Sequence, residues 1–224
     1  MSSSWRTEIV AVLLKEIHSE IRSKAGLMSS GLFSLVTVIA LAVAAFNREL
    51  SPGLSAGLIW VALLFASAIS LPRAFLLEEE QGTMDILRLT ARPHAIFWGK
   101  SLFNLIQMLL TGFFLSFLFL FLTNQTLGNV PLFAVCLLGG CGALAGTVTL
   151  CGAIVAQAKN RSALAGALAL PLLLPLAFLA VEALRVPLGS GDIMVGWRGA
   201  AGLIGYGVAT LAIGPYLFAA VWKS

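Results

Sequence analysis

Six long apolar stretches, separated by short polar or charged segments, organise the chain: residues 27–46, 54–72, 101–122, 131–156, 162–184 and 199–221. The hydrocarbon core of a bilayer is about 30 Å thick, and about 20 residues of α-helix cross it. Helix is the expected state, because a segment in lipid must satisfy its backbone amides internally and the alternating pattern of a membrane barrel is missing. Between Ser101 and Ala158 there is no charged residue. That run is too long for one span. Thr123-Asn124-Gln125-Thr126, then Gly128-Asn129 and Pro131, supply the turn that divides it.

The first 24 residues follow a different pattern. Trp5, Ile9, Leu13, Ile17 and Ile21 recur every four positions, with Val10 and Leu14 beside them. Glu8, Lys15, His18, Ser19 and Arg22 occupy the other side, while Glu16 and Glu20 fall near the apolar edge. This predicts an amphipathic helix lying at the membrane surface. It serves either as a simple anchor or as an elbow that braces the first span against its neighbours.

Composition agrees with a membrane chain. Hydrophobic residues make up 59% and charged residues 11% of the 224, against about 25% charged in soluble domains. Mean hydropathy is +0.97. The net charge of +4 is accounted for by loops. With the N-terminus in the cytoplasm, Arg6, Lys15, Arg22, Lys24, Arg73, Arg88, Arg92, Lys100, Lys159, Arg161 and Lys223 lie inside, and only Arg48, Arg185 and Arg198 lie outside. This asymmetry orients a multi-pass protein with both termini cytoplasmic. Nucleic-acid binding is not expected. Ala42-Val43-Ala44 resembles a leader cleavage site, but the apolar run continues past it, so cleavage is not expected. Cys136, Cys141 and Cys151 share one apolar stretch and read as small packing residues. His18 and His94 sit in no metal-ligand pattern. No resident cofactor or metal is expected.

The longest cytoplasmic connection, residues 73–100, carries Arg73, Glu78, Glu79, Glu80, Asp85, Arg88, Arg92 and Lys100. Phe75, Leu76, Met84, Leu87 and Ile96 give it helical spacing, which Gly82 breaks and Pro93 ends. Three adjacent glutamates disfavour an anionic leaflet and favour a protein partner with basic or amide groups. A solvated charge run is the alternative.

Glu78-Glu79-Glu80-Gln81-Gly82-Thr83, then Leu87, then Gly99-Lys100 at the start of the third span, resembles the signature of ABC-2-type exporter permeases. The chain length, Arg73-Ala74-Phe75, Arg161-Ser162-Ala163-Leu164 and Pro171-Leu172-Leu173-Leu174-Pro175 are most similar to the CcmB family, the haem exporter permease of cytochrome c maturation. The sequence departs from the family pattern at Gln81, where many members carry an acid, and at Ala91, where a proline often follows. The resemblance implies an all-α permease domain over residues 1–224: a cytoplasmic elbow helix (1–26), spans one and two (27–72), a coupling loop (73–100) and spans three to six (101–221). It also implies that Arg73, Phe75, Glu78, Glu79, Glu80, Gly82, Thr83 and Leu87 couple to an ATPase, with Gly99 and Lys100 opening span three. The implied location is the bacterial inner membrane.

The same resemblance implies a separate ABC ATPase that binds ATP, a second copy of the chain, haem-handling membrane partners and surrounding lipid. Haem is the transported or relayed ligand. The chain has no phosphate-binding loop of its own, since Gly99-Lys100-Ser101 has His94 where that motif needs a glycine. No span pairs acids, histidines or a serine with a base, so a membrane enzyme is not expected. A generic exporter of a glycan, lipid or drug, and a mechanical relay that frees haem from a partner, remain the alternatives.

Within the spans, Gly142 and Gly146 form a small-xxx-small pair that packs either inside one subunit or between two. Pro171 and Pro175 are expected to kink the fifth span. Glu182 is the single acid in a span, with Arg185 one turn on, and reads as one half of a surface pair. Met194 and Trp197 are offered by the outer loops, without a histidine to hold iron.

Overall fold

The computed structural model describes residues 5–23, 25–45, 49–70, 82, 87, 89–156 and 161–222. These residues form seven α-helices: α1 (Trp5–Ser23), α2 (Ala25–Ala44), α3 (Pro52–Ser70), α4 (Pro93–Thr123), α5 (Val130–Ala156), α6 (Arg161–Arg185) and α7 (Ile193–Trp222). No strand occurs among the described residues. Three helices, α4, α5 and α7, are long and apolar enough to cross a membrane, and residues 31–44 and 52–68 form shorter apolar helices.

Two helices begin earlier than hydropathy places them. α4 starts at Pro93 rather than residue 101, with the proline in its first turn, where a missing N–H costs nothing and the fixed φ suits the helix. α7 starts at Ile193 rather than residue 199. Asp192 caps it, accepting a hydrogen bond from Met194 N at 3.0 Å. In both cases a charged residue, Lys100 or Arg198, ends the apolar window without ending the helix.

The expected turn after α4 is present. Asn124 takes a left-handed conformation, φ 51°, and closes α4. Asn129 Oδ1 accepts from Leu132 N at 3.0 Å to open α5. Gly128 N donates to Pro187 O at 2.8 Å, lacing this loop to the one between α6 and α7.

α5 is the hub and packs against α4, α6 and α7, while α3 lies against α2, α4 and α6. Its small residues set how closely these helices approach. A Cβ added to Gly140 would overlap the buried Trp60 ring of α3. One on Gly146 would meet Thr210 of α7, so Gly146 packs within the chain. Gly142 lines a shallow apolar groove with Leu105 and Gly207, between α4, α5 and α7. Some polar side chains in the interior find partners there. Asn104 Nδ2 donates to Thr149 Oγ1 at 2.9 Å, and Thr149 Oγ1 donates in turn to Ala145 O at 2.7 Å. Tyr206 Oη donates to Leu172 O at 2.7 Å, between Pro171 and Pro175 of α6. The three cysteines are buried and unbridged.

Candidate coupling site

α1 does not simply lie beside the first apolar helix. It packs far more against α4 than against α2. Glu8, Val12 and Glu16 are spaced four apart and so line one face, and that face meets the first turns of α4. Val12 is the one described residue of α1 that is fully buried. Gly99 makes the approach possible: a Cβ there would sit 2.6 Å from Val12 Cγ1 and 3.1 Å from Ile9 O. A larger residue at 99 would press on Val12 and on the α1 backbone unless the residue at 12 is made smaller.

Charge fixes both ends of this contact. Lys100 Nζ lies 2.7 Å from Glu16 Oε1, and the Lys100 side chain is only 2% exposed. A buried ammonium needs a partner held in good geometry, since the desolvation cost of an unpaired charge is several kcal/mol. Glu16 is that partner. Toward the start of α1, Glu8 Oε1 stands 3.7 Å from Arg92 Nε, and Glu8 Oε2 accepts from Arg92 N at 3.4 Å. Glu16, one of the acids that blur the amphipathic pattern of α1, thus faces Lys100 of α4, and Glu8 faces Arg92 at the α4 N-cap.

The connection between α3 and α4 also ends here. Leu87 is buried in a cluster with Ile96 and Phe97 of α4, Leu150 and Ala153 of α5, and Phe218 of α7. Phe97 fits against Gly214 of α7 and lies 6.0 Å from the Phe218 ring. A force applied at Leu87 therefore reaches α4, α5 and α7 together. Gly82 adopts φ +67°, a conformation only glycine takes readily, which accounts for the break expected at that position. Arg73, Phe75, Glu78, Glu79, Glu80 and Thr83 lie outside the described residues.

Gly99 and Lys100 are thereby given distinct roles, close approach and ion pairing, that spacing alone does not reveal. Glu8, Glu16, Val12 and Arg92 were not singled out as site residues from the sequence. The only signal for Glu16 is its position on the apolar edge of α1.

Glu182 stands apart from this site. Its Oε2 lies 2.8 Å from Arg185 Nη2, with both side chains more than a third exposed. Exposed pairs contribute about 0–1 kcal/mol, so Glu182→Gln is expected to shift thermal stability by no more than about 0.5 kcal/mol and to leave activity unchanged. Thermal unfolding in nanodiscs beside an activity assay checks this.

No curated protein matches the sequence. A family model described as CcmB protein matches residues 7–224, a span that includes α1 from Thr7 onward and every other described helix. The chain belongs to the CcmB family, the integral-membrane permeases that act with an ABC ATPase in haem handling for cytochrome c biogenesis.

Proposed function

We propose that this chain is a six-span permease half of the bacterial inner membrane, with both termini in the cytoplasm, which converts ATP-driven movement of a separate ATPase into movement of α4 and its neighbours during haem export or haem delivery. The observation that carries this reading is the joint between α1 and α4: close packing at Gly99 and a buried ion pair between Glu16 and Lys100. A surface anchor needs neither feature. A lever that must move as one body needs both.

In this mechanism the ATPase grips the loop that contains Glu78, Glu79 and Glu80 as it closes on ATP. The stroke enters the bundle at Leu87 and Pro93, where the loop meets α4. Because α1 is clamped to α4 and the Leu87 cluster joins α4 to α5 and α7, these four helices move as a block. Such rocking of rigid units is the usual basis of alternating access. α2 and α3, which pack on each other as well as on α4 and α6, are in this reading the elements against which the block rocks. A second copy of the chain completes any pathway. The cleft of ≈ 350 Å³ between α3 and α6, lined by Val61, Leu64, Phe65 and Leu173 among others, is apolar and opens on the outside of the single subunit.

Glu79→Lys together with Glu80→Lys is expected to leave the protein inserted while reducing ATPase co-purification and ATP-dependent activity at least about tenfold, equivalent to about 1.4 kcal/mol of docking energy. Unchanged co-purification and activity in that variant would remove the docking role from this loop. Haem flux into vesicles, measured with and without the haem-handling partners, separates transport from relay. Flux without those partners excludes the relay, and partner-bound haem released without flux excludes transport.

A further inference from the structure

We propose that Tyr206 is a catch on a jointed helix: its hydroxyl holds α6 to α7 through Leu172 O, and as α6 bends at its prolines the same hydroxyl passes to Thr147 of α5. Pro171 and Pro175 lie inside α6. Each lacks the N–H that would bond four residues back, so the carbonyls of residues 167 and 171 have no intrahelical donor and the helix is weakened there. Leu172 falls between the two prolines, and its carbonyl accepts from Tyr206 Oη at 2.7 Å. The C-terminal half of α6 is held separately. A Cβ on Gly199 of α7 would lie 2.8 Å from Ala183 Cβ, and Cys136 Sγ of α5 stands 3.6 Å from Ala183 O. On the far side of α6, Leu173, Leu174 and Ala177 border the apolar cleft of ≈ 350 Å³ against α3. The joint is thus tied to α7 on one side and has free volume on the other.

The neighbours of Tyr206 give its hydroxyl a second acceptor. Gly207 lets α7 approach α5 closely: an added Cβ there would come 3.2 Å from Ala143 N. One turn on from Ala143 is Thr147, which is buried and donates to Ala143 O at 2.8 Å. The Thr147 hydroxyl also lies within hydrogen-bonding reach of Tyr206 Oη. Each hydroxyl has one proton to give. That of Thr147 goes to Ala143 O and that of Tyr206 to Leu172 O, so the Thr147 oxygen keeps a lone pair that Tyr206 can use instead. A buried donor left without an acceptor is costly. The second acceptor removes that penalty and makes the hold on α6 exchangeable. The part this plays in the cycle rests on the reading of α5 and α7 as members of the moving block: the catch decides whether the N-terminal half of α6 follows them.

Distances between pairs of nitroxide labels on the full chain in nanodiscs, without ATPase or ATP, test the hold. The native cysteines are buried and stay unlabelled. Ala163→Cys/Phe178→Cys places a pair across the joint within α6. Phe178→Cys/Ile213→Cys, at two exposed positions, relates the C-terminal half of α6 to α7. Tyr206→Phe keeps the ring and removes the hydroxyl. It is expected to broaden the 163–178 distribution and shift it by several ångströms, leaving the 178–213 distribution unchanged. Thr147→Val removes the alternative acceptor and is expected to leave both distributions as narrow as in the unaltered chain. In the complex with the ATPase, both variants are expected to lose ATP-driven activity severalfold, Tyr206→Phe because the catch does not hold and Thr147→Val because it does not release. An unchanged 163–178 distribution in Tyr206→Phe would overturn the proposal. So would equal broadening of both pairs, the sign of a generally loosened bundle, or full activity in Thr147→Val. The distances need no ATPase. A failed coupling reading, seen as no ATP-driven activity even in the unaltered chain, is therefore told apart from a failed catch.

Discussion

Glu16→Lys is expected to release α1 from α4 and to abolish ATP-driven activity. The substitution removes the carboxylate 2.7 Å from Lys100 Nζ and sets a second ammonium beside a side chain that is almost wholly buried. Breaking a buried pair by removing one partner costs about 3–5 kcal/mol, and like-charge repulsion adds to it. The loss should appear as a lower midpoint of thermal unfolding and as new protease sensitivity within α1. The exchange Glu16→Lys/Lys100→Glu restores opposite charges in nearly the same place and should recover most of the stability and activity. If the exchange is as damaged as the single variant, the pair is not what clamps the two helices. If Glu16→Lys is harmless, the joint is not needed at all.

Gly140→Ala is expected to produce the largest packing defect in the bundle. A Cβ at this position overlaps the ring of Trp60, which is 1% exposed and confined among α3, α4 and α5. Overpacking of this kind costs about 1–3 kcal/mol, and the apparent unfolding midpoint in nanodiscs should drop accordingly. Trp60→Phe in the same chain removes the overlapping part of the ring and should restore much of the loss. Gly142→Ala and Gly205→Ala serve as controls. The first would bring a Cβ no closer than 4.0 Å to Leu105, and the second meets nothing within 4 Å, so both should be close to neutral. A defect of equal size at all three positions would assign the effect to helix flexibility rather than to the contact with Trp60.

These two predictions mark the border of what the sequence reveals. The apolar stretches are read directly from hydropathy, because the cost of leaving backbone amides unsatisfied in lipid restricts each of them to helix. The turn at residues 123–131 is read from its polar residues and is observed with Asn124 in the left-handed region. The start of α4 is misplaced because hydropathy treats every charge as solvated, whereas Lys100 is buried and neutralised by a residue 84 positions away; the start of α7 is misplaced because the exposed Arg198 ends the apolar window while the helix continues through it. The same long-range pair explains why the amphipathic pattern of α1 looked imperfect. Small-residue spacing in α5 finds Gly142 and Gly146 but cannot assign their neighbours. Gly140, the position with the most crowded contact, has no distinguishing local pattern. Of the candidate site, Gly99 and Lys100 were legible only through family resemblance. Their physical reasons, close approach to Val12 and a pair with Glu16, depend on a tertiary contact.

The most direct measurement is a tether between the two helices of the lever. A Cβ on Gly99 would lie 2.7 Å from that of Val12, somewhat closer than the roughly 3.8 Å across a disulfide, and Val12→Cys also removes the methyl group that crowds the site. Val12→Cys/Gly99→Cys, oxidised in the assembled complex and assayed for ATP-driven activity before and after reduction, asks whether α1 and α4 part during the cycle. The expected result is a cross-link that leaves activity unchanged, because the two helices move as one. Activity lost on oxidation and restored by reductant would mean that α1 and α4 separate with each stroke, and the lever described here would be contradicted.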